Sequence, residues 1–126
     1  MIFKLKTSRR TEEIFTEIGR STSFKPYTLV KHALAWSIRE GGKITKFNTD
    51  TDGLELNRQT ITAEYDDYFK VLIEQVEGRK LSGDEYFPKY VKAHIDRGAE
   101  YLDSHYKHAG SVEKYVLETL GIGDTV

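Results

Sequence analysis

The sequence predicts a mainly α fold. A ribbon-helix-helix-like N-terminal unit, one short strand plus two helices, is followed by additional helices. Three observations carry this reading. Residues 2–6, IFKLK, alternate apolar and basic side chains with the two-residue period of a strand. Beyond them, apolar residues recur three and four apart over most of the chain, the period of a helix. The interruptions fall at glycine, proline and short polar runs, which end such periods.

In the strand, Phe3 and Leu5 point one way and Lys4 and Lys6 the other. Ser8 is placed to cap a first helix built on Ile14, Phe15 and Ile18, with Gly19 as its C-cap. After the polar turn Arg20 to Ser23, Pro26 suits the first turn of a second helix. That helix carries Leu29, Val30, Ala33, Leu34 and Ile38, and Gly41-Gly42 stops it. Residues 48–57 read as a loop, with an extended piece at Leu54–Leu56. A long helix is expected from Gln59 to Glu77, its buried stripe being Ile61, Tyr65, Tyr68, Leu72 and Val76, widened by Phe69 and Ile73, with Gly78 as its stop. Ser82 and Glu85 have capping-box spacing. Pro88 would disrupt a helix begun there, so a turn is expected first and the next helix opens at Pro88 and runs to about Arg97. Gly98 ends or kinks it, Glu100–His108 is helical again, and Ser111 caps a last helix to Leu120 before a loose tail. The whole reads as a single domain, 1–126. It divides into a basic strand-helix-helix unit at 1–47, a loop with helices at 48–98, and a C-terminal helical extension at 99–126.

Composition narrows the chemistry. The 126 residues include no cysteine, which excludes disulfides, thiolate metal sites and cysteine nucleophiles and suits a reducing compartment. No stretch is long and apolar enough for a signal peptide or a membrane span, so a cytoplasmic location with no membrane partner is expected. The net charge of −1 conceals a division: residues 1–47 hold ten basic and four acidic side chains, and the remainder nine and sixteen. A basic third suggests an anionic partner. Its candidate contacts are Lys4, Lys6, Arg9, Arg10, Arg20, Lys25 and Lys31. Lys4 and Lys6 would project from a ribbon formed by two such strands, which fits the DNA major groove. The start of the second helix near Lys25 suits a phosphate.

The run Asn48, Asp50, Asp52, Gly53 imitates the first half of a calcium loop. Position 12 of such a loop falls on Gln59 and position 8 on Glu55, which do not serve, so the stretch reads as a turn with Gly53 at positive φ. His94, His105 and His108 read as surface histidines. On one helix His94 and His105 stand about 16 Å apart and cannot share a metal. Glu64, Asp66 and Asp67 read as a solvated helix face, and Tyr65, Tyr68 and Phe69 as core rather than a base-stacking platform. No catalytic residue, metal or cofactor is expected.

Asp52-Gly53-Leu54-Glu55-Leu56-Asn57-Arg58, with Thr60 and Glu64-Tyr65-Asp66 behind it, resembles the signature of the DndE family of DNA sulfur modification proteins. Ala93 to Gly98, AHIDRG, is similar to that family's second signature, and KLKTS near the start and the Pro26–Glu40 helix also fit. The resemblance spans residues 3 to about 98. It implies a role in DNA phosphorothioation, a ribbon-helix-helix-like fold, a homo-oligomer that is a tetramer, and binding to duplex DNA with a preference for nicks. It leaves sulfur mobilisation and iron–sulfur chemistry to partner proteins. Asp52, Gly53, Glu55, Asn57 and Arg58 would then be structural or interface residues, with Arg58 either reaching a phosphate or pairing with Glu55 or Asp52. The expected function is thus a non-catalytic DNA-binding subunit. The rivals are a metal-dependent nicking nuclease using Asp50, Asp52 and Glu55, and a scaffold that does not bind DNA.

Overall fold

The computed structural model describes residues 3–121. Strand β1 (Lys4–Lys6) leads into helices α1 (Arg9–Thr22) and α2 (Pro26–Glu40), the strand and two helices that the sequence predicts. A loop leads to β2 (Glu55–Asn57) and the single turn α3 (Arg58–Ile61). A 3-10 turn (Ala63–Tyr65) enters α4 (Asp66–Glu77). The remainder is α5 (Gly83–Glu85), a π-type turn (Tyr86–Val91), α6 (Lys92–Ala109) and α7 (Val112–Leu120). The two strands form an antiparallel ribbon with Leu5 opposite Leu56, Lys4 opposite Asn57 and Lys6 opposite Glu55. The ribbon expected between two chains is therefore closed within one, because the Leu54–Leu56 piece supplies the partner edge. Leu5 and Leu56 turn inward and the lysines outward.

Helix α6 is the central post, packed along α2 and crossed by α1. Gly98 explains the closeness of α2. A Cβ at this position would overlap the carbonyl oxygen of Ala33, so only hydrogen fits between the two backbones. Gly98 does not end the helix; α6 continues to Ala109. Ile14, Phe15 and Ile18 of α1, Leu29, Val30 and Leu34 of α2, and Ile95, Ala99 and Leu102 of α6 fill the core, joined by Ile61, Ile73, Tyr86 and Phe87. Helix α1 runs past Gly19 to Thr22. It ends at Ser23 in the left-handed region, where the Ser23 N–H donates to the Gly19 carbonyl.

Two helix boundaries depart from the periodicity. The predicted helix 59–77 is broken at Ala63, which takes φ +50°. In an unbroken helix Arg58 and Asp66 would stand about 12 Å apart along the axis. The break brings them together, with Arg58 Nη2 2.7 Å from Asp66 Oδ2. It also turns α4, so that Phe69, Ile73 and Glu77 face inward while Tyr65, Tyr68 and Leu72 face solvent, against the expected stripe. The second departure lies at Pro88. The capping box at Ser82 is real, with Ser82 Oγ accepting from the Glu85 N–H, and the helix starts there rather than at Pro88. Proline lacks the N–H for the next α-type bond. The chain absorbs it in the wider π-type turn and resumes as α6.

His94 is fully buried rather than on the surface. It sits in a directed chain: Arg97 Nε donates to Ser37 Oγ (2.9 Å), Ser37 donates to His94 Nδ1 (2.7 Å), and His94 Nε2 donates to Glu77 Oε2 (3.0 Å). The same Glu77 oxygen accepts the Ile44 N–H, so the chain pins the loop after α2. Burial, then the Arg97 charge, lower the His94 pKa to about 4 against a partial upward pull from Glu77.

Two stability outcomes follow from this interior. Gly98→Ala forces Cβ into the Ala33 carbonyl and lowers unfolding free energy by about 1–3 kcal/mol in urea titrations. The unfolded chain takes up a His94 proton near pH 6.5, whereas the folded chain does so only near pH 4. The His94 contribution is complete above about pH 6.5 and is lost as pH falls toward 4, so the urea midpoint drops across that window and drops less in His94→Gln.

Candidate nucleic-acid interface

The basic candidates divide by what surrounds them. Lys4 and Lys6 stand exposed on the outer face of the ribbon, where the ladder places Glu55 opposite Lys6. Arg9 and Arg20 share the outer line of α1, eleven residues apart, with Glu13 and Glu17 interleaved, so that face is mixed in sign. Lys31 lies on the exposed side of α2 with Tyr27 and Ala35. This helix has no acid in its first turn and none before Glu40. Lys25 is its N-cap residue and offers no side-chain cap; Pro26 has no N–H, and the Thr28 and Leu29 N–H groups donate to the Lys25 carbonyl, so the positive end of the helix lies beside an exposed lysine. Among the described residues no carboxylate lies within 4 Å of the charged group of Lys4, Lys6, Arg9, Arg20, Lys25 or Lys31. Arg39 extends the α2 face and packs over Trp36. The sequence signal for Arg39 was the absence of acids along α2.

Arg10 differs. Its Nε is 3.0 Å from Glu100 and its Nη2 is 3.4 Å from Asp103, so it ties α1 to α6. The hydrogen bond and charge of Glu100 raise its pKa further.

The start of α1 is likewise occupied from within. Asp50 Oδ1 accepts the Arg9 N–H at 2.8 Å and the Asp52 N–H at 3.0 Å. Those two bonds hold its carboxyl below the usual range. The acidic run is thus an Asx turn seated on a helix N-terminus. Asp96, 8% exposed, accepts from Ser8 N–H (3.1 Å), Thr11 Oγ1 (2.7 Å), Thr49 Oγ1 (2.7 Å) and Lys92 Nζ (2.7 Å). Lys92 also donates to the Asp50 carbonyl. Arg97 reaches the carbonyls of Gly42 and Ser37. The AHIDRG segment therefore stitches α1, α2 and the loop before β2 onto α6.

The other signature segment is structural as well. Gly53 does not take positive φ as expected; a Cβ there would overlap the Ser8 carbonyl oxygen and Thr7 Oγ1, and close approach is what excludes a side chain. Its N–H donates to Thr7 O, and the Leu54 N–H to Thr7 Oγ1. Arg58 pairs with Asp66, not with Glu55 or Asp52, through Nε–Oδ1 at 3.1 Å and Nη2–Oδ2 at 2.7 Å. Its guanidinium lies 4.9 Å from the Phe87 ring centre and 5.4 Å from that of Tyr86. Thr62 and Tyr86 also donate to Asp66. Burial works to raise the Asp66 pKa, but the bonds from Arg58 and Thr62 outweigh it and leave it lowered. Asp66 is thus part of a network rather than a solvated helix face. Asp52, Glu55 and Asn57 are exposed. Among the described residues no three His, Asp or Glu side chains gather as metal ligands.

The model of the family described as "DNA sulphur modification protein DndE" matches residues 4–110, past Gly98 to the end of α6. No curated protein matches the sequence. Among solved structures, a DndE double mutant described as involved in DNA phosphorothioation is 18% identical, covers 83% of this chain and 100% of its own, and superposes with a TM-score of 0.63. DndE from Escherichia coli B7A, described as involved in DNA phosphorothioation modification, is also 18% identical with a TM-score of 0.63, covering 81% of this chain and 97% of its own. Both share the fold.

Arg58→Lys keeps the charge but loses the fork and the stacking. It lowers unfolding free energy by about 1–3 kcal/mol in chemical denaturation.

Proposed function

The chain belongs to the DndE family of DNA sulphur modification proteins, and on that premise we propose that it acts in DNA phosphorothioation as a non-catalytic DNA-binding subunit. In this reading it binds duplex, above all nicked duplex, through phosphate contacts. It works in the cytoplasm as a homo-oligomer, a tetramer, beside other proteins of the system. The observation that carries the reading is the contrast between cations. Arg10 and Arg58 are already paired with carboxylates of this chain, whereas Lys4, Lys6, Lys25 and Lys31 stand exposed with no carboxylate partner among the described residues. Exposed unpaired lysines beside an uncapped helix start suit phosphate oxygens. A nicking activity finds no comparable support, because Asp50 is committed to the N-terminus of α1.

Gel shifts with intact, nicked and single-stranded DNA at two salt concentrations test this. The affinity for nicked duplex falls steeply with salt, with a log–log slope of about −0.9 per phosphate contact. Charge reversal of Lys4, Lys6, Lys25 and Lys31 together abolishes the shift, while Arg10→Gln lowers stability and leaves the shift intact. Undiminished binding by a folded charge-reversed protein removes this surface from the interface. Absence of any shift with wild-type protein that still assembles with its system favours the scaffold.

A further inference from the structure

Helix α4 and the turn before it leave four large side chains in solvent: Tyr65 is 56% exposed, Tyr68 71%, Val71 55% and Leu72 40%. Positions 65, 68 and 72 follow helical spacing and form one stripe, with Val71 beside it. The opposite side of the same helix serves the core through Phe69 and Ile73. A contiguous apolar stripe of this kind marks an interaction surface.

The stripe has two unlike ends. At its N-terminal end Glu64 and Asp67 are exposed, and among the described residues neither forms an ion pair. At its C-terminal end stands Lys80, next to Arg79, whose guanidinium is held by Glu85 (2.6 Å) and the Tyr90 hydroxyl (2.9 Å). The Lys80 side chain is 94% exposed and only 3.9 Å from its nearest carboxylate, Glu74. Beside the stripe at this end lies a shallow depression of about 350 Å³ lined by Val71, Glu74, Gln75, Gly78, Arg79 and Lys80. This segment therefore presents protruding tyrosines with acids at one end and a hollow beside the exposed Lys80 at the other.

We propose that α4 is the two-fold contact between two copies of this chain, running antiparallel to α4 of the second copy. Tyr68 and Gln75 are about 10 Å apart along the axis. Reversing the direction of one helix lays its tyrosines over the hollow of the other, while its own hollow receives the other's tyrosines. The same reversal sets Glu64 and Asp67 of each copy toward Lys80 of the other. Such self-complementarity is what a two-fold interface requires. The proposal rests on the homo-oligomer of the proposed function and assigns one of its contacts. It leaves the ribbon and the outer face of α2 free.

Sedimentation of the full chain tests it. Tyr68→Lys, at an exposed position and checked for folding by circular dichroism, halves the mass of the assembly, with a dissociation constant raised about tenfold or more. Val71→Glu does the same. Glu64→Lys and Lys80→Glu each weaken association, and the two together restore it, because each copy then offers exchanged charges. An unchanged mass in both Tyr68→Lys and Val71→Glu, or a double charge exchange that fails to restore association, overturns the α4 contact while leaving an oligomer built elsewhere. A wild-type monomer overturns the contact and the oligomer together. Binding to nicked duplex is read separately, through Lys4, Lys6, Lys25 and Lys31.

Discussion

The buried carboxylate of Asp96 fixes the start of α1 and the loop before β2 onto α6. Asp96 collects donors from three parts of the chain: the N-cap and first turn of α1, the loop at Thr49, and Lys92 one turn earlier on its own helix. A buried carboxylate is tolerable only when its lone pairs are engaged and its charge is met. Four donors, one of them an ammonium, satisfy that condition. Because those donors come from separate segments, engaging them fixes where α1 begins and where the loop lies. The position of β1, directly upstream of Ser8, is then set within two residues. Gly53 against the Ser8 carbonyl closes the same corner from the other side.

Much of this was legible in the sequence, and the parts that were not share a cause. Helices α1 and α2 were readable because their apolar residues recur at helical spacing, and Ser8, Pro26 and Ser111 are residues that mark helix starts on their own. The family segments were legible as patterns, but their roles were not. Gly98 and Gly53 are glycines because another backbone passes close by, and sequence spacing cannot show which backbone that is. The break at Ala63 was hidden for the same reason: Arg58 and Asp66 look like independent helix residues until the pair forms. Once the break rotates α4, the periodicity of Tyr65, Tyr68 and Leu72 remains helical but no longer points at the core. Periodicity reports that a helix has an apolar side; it does not report which body covers that side. Among the basic candidates, Arg10 could not be told from its neighbours, because Glu100 and Asp103 lie some ninety residues away.

Arginine and lysine divide the labour in this fold. Arg10, Arg58, Arg79 and Arg97 each use the planar fork to join separate elements, on carboxylates or on carbonyl oxygens, and Arg58, Arg79 and Arg97 also lie over aromatic rings. The fork holds two acceptors at once and suits a fixed joint. Lysines at positions 4, 6, 25 and 31 instead remain hydrated on flexible stems at the surface. Lys92 departs from that pattern, its ammonium held between Asp96 and Thr49.

The ribbon closed within one chain has a consequence for concentration. In a reader whose two strands come from different chains, the surface that meets the groove exists only after dimerisation, and dilution destroys it. Here β1 finds β2 in the same molecule, so Lys4 and Lys6 are displayed by every folded copy however scarce the protein is. Any assembly of copies would change how many such displays stand together, and not whether any exists.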